Sequence, residues 1–445
     1  MARRLQVILF VFVCAGTALA QTTVPDTAAG HALSAWLEAF NSGDRAKIDA
    51  FLKSYAPRLA DAAFASAQFR GQSGGLNLLA VTSGGPSTIA FRVQEKSQAT
   101  ILIGKFEVTG AKPPTISNAV LRAVPQGAVL EDIKFDAARR KDAIEAVIAR
   151  LNEFYVYPRL ADTMAETLRA HETKGDYNNI SDGDEFAALV TRQLLEVSHD
   201  KHLAVFYQAF KFAADPPAPT FDQLTEDRKA MARDCGIRKV DILPNNIGYM
   251  KFDFFPEPMA CGRSAAAAIS FLANTDAVIF DVRDNSGGDP RMVAMMLTYL
   301  FDQPVHLNDF YDRSDNKTAE YWTLRYVPGI RLGHKPAYVL TSPRTFSGAE
   351  EFAYDLRNLR RATVVGETTG GAAHPVSPHQ AGDHFTIFVP NGRSVNPVTN
   401  KDWEGVGVIP DVAVNADDAL EAAQRLAAER IQQTASHDTS TARAN

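Results

Sequence analysis

From about residue 238 to residue 433 the chain alternates short apolar runs with helical patterns. The order is "NIGYMKF", "RSAAAAISFLA", "DAVIFDVR", "PRMVAMMLTYL", "PAYVLT", "GAEEFAYDLRNL" and "ATVVGE". A run of four to eight apolar residues suits a strand buried on both faces, and the longer amphipathic stretches suit crossover helices. Repetition of that unit predicts βα crossovers and a sheet covered on both sides, which places the block in the α/β class. A last helix, "ADDALEAAQRLAAERIQQ", ends the block at 433. The polar tail 434–445 is expected to be disordered.

Upstream, residues 21–115 read differently. "HALSAWLEAFNSGDRAKIDAFLKSY" puts Leu33, Trp36, Leu37, Phe40, Ile48 and Phe51 at helical spacing around a turn, and strand-like runs such as "STIAFRVQE" and "ATILIGKFEV" follow. Helices followed by an antiparallel meander make an α+β unit. "AKPPTISNAVLRAVPQGA" reads as part linker and part last strand. Residues 130–210 are helical, with Ile144, Val147, Ile148, Leu151 and Tyr155 on one face and Phe186, Leu189, Val190 and Leu194 on another behind a Ser181 N-cap. A Pro-rich linker, 211–237, separates them from the alternating block.

Residues 1–20, "MARRLQVILFVFVCAGTALA", have a basic start, an apolar stretch and a small-x-small end. That is the anatomy of a secretory leader cleaved before Gln21, and it predicts a periplasmic or secreted protein. A lipid anchor through Cys14 is disfavoured by bulky Val13 before it. No later segment reaches the roughly 18 apolar residues of a membrane helix, so no integral span is expected. Lys plus Arg number 46 against 52 for Asp plus Glu, with no basic stripe, so nucleic acid is not an expected partner. After cleavage Cys235 and Cys261 remain. An exported chain permits a disulfide between them, while burial frequencies favour two buried thiols. Their spacing matches no zinc motif, and no metal site is expected.

Three loops of the last block can carry chemistry. In "DVRDNSGGDP", Gly287 and Gly288 permit positive φ and bring backbone N–H groups close to an anion or oxyanion; the plainer reading is a tight turn before a helix. There is no phosphate-loop Lys-Ser/Thr pair, so nucleotide binding is not expected. In "TSPRTFSGAEEFAYDL", Ser347 stands at a strand-to-helix corner. It is either a helix cap, with Glu350 three residues on completing a capping box, or a nucleophile with Gly348 supplying an N–H. In "NPVTNKDWEGVGVIPDVAV", Glu404 sits between Trp403 and Gly405, where it can orient a histidine or face solvent. A serine needs a base. Of ten histidines, His374, His379 and His384 read as members of a polar loop, and His199 and His202 are the sharper candidates.

"SHDKHL", "DVRDNSGGD", "TSPRTFSGAEEFAYDL", "RATVVGETTGGAAHP", "VPNGRSVNPVT" and "DWEGVGVIPDV" follow one another in an order that resembles the tail-specific, C-terminal-processing serine proteases. The similarity is to the branch with the tricorn core and the interphotoreceptor retinoid-binding protein, over roughly residues 130–430. It implies a crotonase/ClpP-like βα protease core (238–433) preceded by the small helical bundle. Residues 21–115 resemble cystatin-like domains related to nuclear transport factor 2. The resemblance assigns Ser347 as nucleophile, Gly348 and Gly288 as oxyanion donors, with Gly287 beside them, and His202 as general base. Glu404 supports the site directly or through a neighbouring hydroxyl such as Ser198. The family's other branch uses a lysine where this chain has Ala372, which favours His202. The linker leaves no room for the usual PDZ module. The resemblance thus implies an exported serine peptidase acting on peptides or proteins without a cofactor. Its alternative is a non-catalytic protein that binds an apolar ligand or peptide on the same fold. No residue specifies an oligomeric state.

Overall fold

The computed structural model describes residues 23–57, 67–97, 100–110, 114–124, 128–130, 135–208, 210–211 and 234–444. The leader expected at 1–20 and most of the linker, 212–233, lie outside the described residues. The chain forms two compact units, Met1–Leu130 and Glu131–Asn445.

The first unit contains α1 (Ala28–Ser42), α2 (Arg45–Tyr55), α3 (Ala67–Ser73) and an antiparallel meander, β1 (Leu76–Gly84), β2 (Thr88–Glu95), β3 (Ile101–Val108) and β4 (Ile116–Ala123). The Thr27 hydroxyl caps α1 by accepting from Gly30 N, and Gly43, at φ 69, ends it. Leu33, Trp36 and Phe40 recur on one face and are buried. Trp36 packs against Phe91 and Phe106 of the sheet at 5.6 and 5.2 Å between ring centroids. β2 and β3 alternate buried and half-buried positions, as one covered face requires. β4 carries this unit past the expected boundary at 115, because Ile116–Ala123 is the meander's last strand.

The second unit opens with α4 (Ala137–Phe154), α5 (Pro158–Lys174) and α6 (Gly183–Ser198). The cap of α6 is Asp182 rather than Ser181. Asp182 holds extended dihedrals and its carboxylate accepts from Glu185 N at 2.8 Å. Past α6 come β5 (Ala204–Tyr207), β6 (Ile237–Leu243), β7 (Ile247–Phe252), α7 (Pro258–Phe271), β8 (Ala277–Asp281), α8 (Pro290–Thr298), β9 (His306–Asp312) and β10 (Lys317–Trp322). β11 (Ala337–Thr341), α9 (Gly348–Asn358), β12 (Thr363–Gly366), β13 (Val376–Gln380), β14 (Phe385–Pro390), β15 (Gly392–Val395), β16 (Val412–Ala413) and α10 (Ala419–Ala444) complete it. The central sheet has the order β16-β12-β11-β8-β7-β6, parallel throughout except for edge strand β6. α7, α8 and α9 bury one face of it and α10 the other, so β8 and β11 are buried at every position. Fold class and crossover pattern follow the sequence reading. α10 runs on to Ala444, so the tail expected as disordered from 434 is helical up to that residue.

Two small antiparallel sheets, β10-β9-β15 and β13-β14-β5, stand outside the alternating pattern. Two of their strands, "KTAEYW" and "VSPHQ", are polar and largely exposed or half-exposed, and lack the apolar run that marks the central strands. Cys235 and Cys261 form a disulfide rather than two thiols. Cys235 sits in a positive-φ turn before β6, which brings its Cα to 5.6 Å from that of Cys261 on α7, within bridging range. Among the described residues, no helix is long and apolar enough to cross a membrane.

Candidate active site

Loops after β8, β11 and β12 emerge side by side, because these are neighbouring parallel strands, and such carboxyl ends are where open α/β sheets hold their sites. Three bonds tie the β11–α9 corner to the β8 loop. Phe346 N donates to Asn285 O at 3.0 Å, the Thr345 hydroxyl to Val282 O at 2.8 Å, and the Ser342 hydroxyl to Arg283 O at 2.5 Å. Phe352 of α9 packs on Phe280 and Phe255 at 5.5 and 5.6 Å, fixing the helix over the sheet. Ser347 is left at φ 53 and ψ −122. For a residue with a Cβ that costs about 1–3 kcal/mol and persists only where the surroundings enforce it. Ser347 makes contacts through both its backbone and its side chain. Its backbone N–H donates to the Glu350 carboxylate at 2.9 Å, the backbone half of a capping box, while its Oγ lies 3.3 Å from His202 Nε2.

The same Glu350 carboxylate, fully buried, also accepts from the Thr369 hydroxyl at 2.5 Å, Gly371 N at 2.6 Å and Ala372 N at 2.9 Å. It thereby draws the 369–372 loop to the corner. At Ala372, the position of the other branch's lysine, there is a buried methyl group.

Gly287 and Gly288 have φ 94 and 140. Asn285 Oδ1 accepts from Gly287 N at 2.8 Å, so Gly287 shapes the turn. Gly288 is clamped between Phe255 N donating to Gly287 O and Asp289 N donating to Phe255 O, each at 2.8 Å. A Cβ at Gly288 would fall 2.1 Å from Phe255 O, which explains the glycine. Gly288 N lies 3.1 Å from where a Cβ on Gly348 would stand. Among the described residues neither Gly288 N nor Gly348 N donates to a backbone or side-chain acceptor. Both glycines line one cavity with Ser347. Two adjacent, unclaimed N–H groups beside a serine hydroxyl are the geometry of an oxyanion cradle.

The acid-base side comes from other segments. α6 ends at His199, at φ 56, and the chain turns through Asp200, Lys201 and His202 into β5, which is anchored by pairing with β14. Burial lowers the His202 pKa to about 4 against the opposing charge of Asp200, so the ring is neutral at neutral pH. Its Nδ1 is buried without a partner. Asp200, nearly fully buried, accepts from His202 N at 3.1 Å and the Tyr155 hydroxyl at 3.3 Å, and its Oδ2 lies 2.6 Å from His374 Nδ1. Burial and Asp200 push the Tyr155 phenol up, keeping it a neutral donor. Glu404 Oε2 accepts from Ala373 N at 2.5 Å and stands 3.6 Å from His374 Nδ1, while Oε1 is buried without a partner. Burial raises the Glu404 pKa to about 7, with His374 pulling the other way. Asp200, His202 and Glu404 each place a ligand atom within 4.8 Å of the others.

Ser347, His202, Gly288 and Gly348 are therefore gathered at one point. Glu404 is close to His202, with no hydrogen bond between them. Ser198 is not brought in: its hydroxyl donates to Leu194 O at 2.8 Å and accepts from Asp200 N at 3.1 Å, closing the end of α6. Asp200 and His374 are the residues that sequence reasoning missed. His374 is buried rather than in an open polar loop. Burial pulls its pKa down, but the Asp200 hydrogen bond and the Asp200 and Glu404 charges outweigh that and raise it. The available signal was Asp200 itself, an acid between two histidines in "SHDKHL".

The model of peptidase family S41 matches residues 246–414, and that of the N-terminal domain of peptidase S41 in eukaryotic IRBP matches 134–239. Chloroplastic carboxyl-terminal-processing peptidase 2 of Arabidopsis thaliana is 27% identical over 174 residues, covering 37% of this chain and 31% of that protein. The chain thus spans about a third of the length of the curated relatives it matches. A lipoprotein structure from Streptococcus agalactiae is 15% identical, with a TM-score of 0.46 over 65% of this chain and 96% of that one. The photosystem II D1 C-terminal processing protease is 13% identical, with a TM-score of 0.39 over 62% and 93% of the two chains. The chain belongs to peptidase family S41.

Proposed function

We propose that the protein is an exported serine peptidase with Ser347 as nucleophile and His202 as general base. One observation carries this: the Ser347 hydroxyl projects from a strained corner, 3.3 Å from His202 Nε2 and beside the free N–H groups of Gly288 and Gly348. His202 Nε2 takes the Ser347 proton as Oγ attacks the peptide carbonyl. Gly288 N–H and Gly348 N–H receive the developing oxyanion, each worth about 3 kcal/mol in such sites. The imidazolium then protonates the leaving amine, and the same base activates the water that hydrolyses the acyl-enzyme. Glu404, within 4.8 Å, stabilises that imidazolium when ionised, and Asp200 fixes the turn that carries the ring. The apolar leader and the Cys235–Cys261 disulfide support export to an oxidising compartment.

Labelling of the mature protein with a fluorophosphonate tests the reading. Labelling is expected in the native chain, absent in Ser347→Ala and strongly slowed in His202→Ala. Labelling that depends on Ser347 but is indifferent to His202→Ala sinks the assignment of the base. No labelling of the native chain, together with tight binding of a fluorescent lipid, would move the protein to the binding class.

A further inference from the structure

Ser347 and the two glycines open into a cavity of about 280 Å³. That is the scale of one long side chain rather than a drug-sized ligand. Phe310 and Tyr321 wall it, and Glu351, one helical turn beyond Ser347 on α9, lines it with them. Glu351 is 3% exposed, and among the described residues no lysine or arginine pairs with it. Behind it, another turn along α9, Asp355 is fully buried. Its Oδ1 accepts from Asn396 Nδ2 at 3.0 Å and its Oδ2 has no partner.

Two carboxyls stacked one turn apart in a core cost stability, and apolar residues of similar volume would serve packing better. The charged and titratable groups that act on Glu351 are acidic, and the cavity's own basic group, His374, is held by Asp200. Asp355 faces Glu351 from its own helix, Asp289 from the turn before α8 and Tyr321 from β10, with the neutral Asn308 amide on β9. The nearby guanidinium of Arg291 is engaged by Asp289 and Glu257. Burial and the charge of Asp355 hold the Glu351 carboxyl well above the usual carboxylate range.

We infer that this cavity receives the substrate side chain on the amino side of the scissile bond, and that it selects lysine or arginine, with Glu351 as the counter-charge. The inference rests on the peptidase reading. An entering ammonium or guanidinium displaces the Glu351 proton to solvent and leaves an ion pair in a dry pocket. The aliphatic stem and the cation lie against the Phe310 and Tyr321 rings. Because a proton is released, binding of the cationic side chain tightens as pH rises.

The test uses two peptides that differ only at that position, lysine against norleucine, which keeps the stem and removes the charge. Binding is measured by calorimetry on the Ser347→Ala chain, where no chemistry intervenes, and hydrolysis on the native chain. The lysine peptide is expected to bind at least about 30-fold tighter at pH 8, the low end for a desolvated charge pair. Adding Glu351→Gln, isosteric with the protonated acid, is expected to abolish the difference. Norleucine bound as tightly as lysine overturns the subsite without recourse to the Gln variant, as does a lysine preference that survives Glu351→Gln. A lysine preference in binding with no hydrolysis of either peptide by the native chain defeats the peptidase reading and leaves the subsite standing. Hydrolysis that prefers norleucine does the reverse.

Discussion

The two halves of the site are built from different materials. The proposed nucleophile half is backbone: the Ser347 corner, the Gly288 and Gly348 N–H groups, and ties such as Phe346 N to Asn285 O, all in loops that follow adjacent parallel strands of one sheet. The acid-base half is side chains from three separate segments, the α6–β5 turn, the 369–374 loop and the 402–407 loop. Its ionisable groups bond across segments, Asp200 with His374 and Glu404 with Ala373, and two atoms, His202 Nδ1 and Glu404 Oε1, are left without partners. The geometry of the proposed oxyanion cradle is thus set by the same hydrogen bonds and packing that hold the sheet together. The geometry of the proposed base depends on loop packing and is where pH can act.

The sharpest break between the halves comes from Ser347. Ser347→Ala should lower kcat/KM by about 10⁶-fold, the scale for loss of a nucleophile that works with its base as a unit. The corner is also strained, so Ser347→Gly, equally inactive, should be more stable than Ser347→Ala by about 1 kcal/mol. Equal urea midpoints for the two variants would show that φ 53 stores no strain. The next effect is Gly288→Ala. The methyl group would meet Phe255 O at 2.1 Å and push the 288 N–H out of line. Activity should fall about 10²–10³-fold, the cost of one oxyanion donor. A variant that folds and retains more than a tenth of native activity would dissociate Gly288 from the oxyanion.

This division explains what the sequence could reveal. Glycines at positive φ and a serine between a buried strand and an amphipathic helix are local patterns, and residues 281–290 and 341–356 displayed them. The central sheet was legible for the same reason, since full burial on both faces writes a continuous apolar run. Partners that meet only through tertiary packing leave no such pattern. His374 looks like a loop histidine until the fold carries its segment against Tyr157 and Asp200. Ser198 has the right neighbours in sequence, yet it caps α6. Polar strands β10 and β13 escaped because only partial burial shapes them.

The smallest effect asks which carboxylate serves the base. The His202 pKa is lowered to about 4, so a site limited by that ring alone would be flat in kcat/KM above about pH 5. The Glu404 pKa is raised to about 7, which leaves it largely neutral, and of no help to an imidazolium, below neutrality. If the Glu404 carboxylate steadies the imidazolium, native kcat/KM should climb through about pH 7 as Glu404 loses its proton. Glu404→Gln should remove that climb and lower the alkaline plateau about 10-fold, equivalent to about 1.4 kcal/mol of transition-state stabilisation. A merely structural role for Glu404 would leave native kcat/KM flat above about pH 5, with Glu404→Gln lowering the plateau and not changing its shape. In that case the charge that His202 needs is Asp200, which already accepts from the His202 backbone and is shared with His374. Asp200→Asn should then lower the plateau more than Glu404→Gln does, so the two variants together say which carboxylate the base uses.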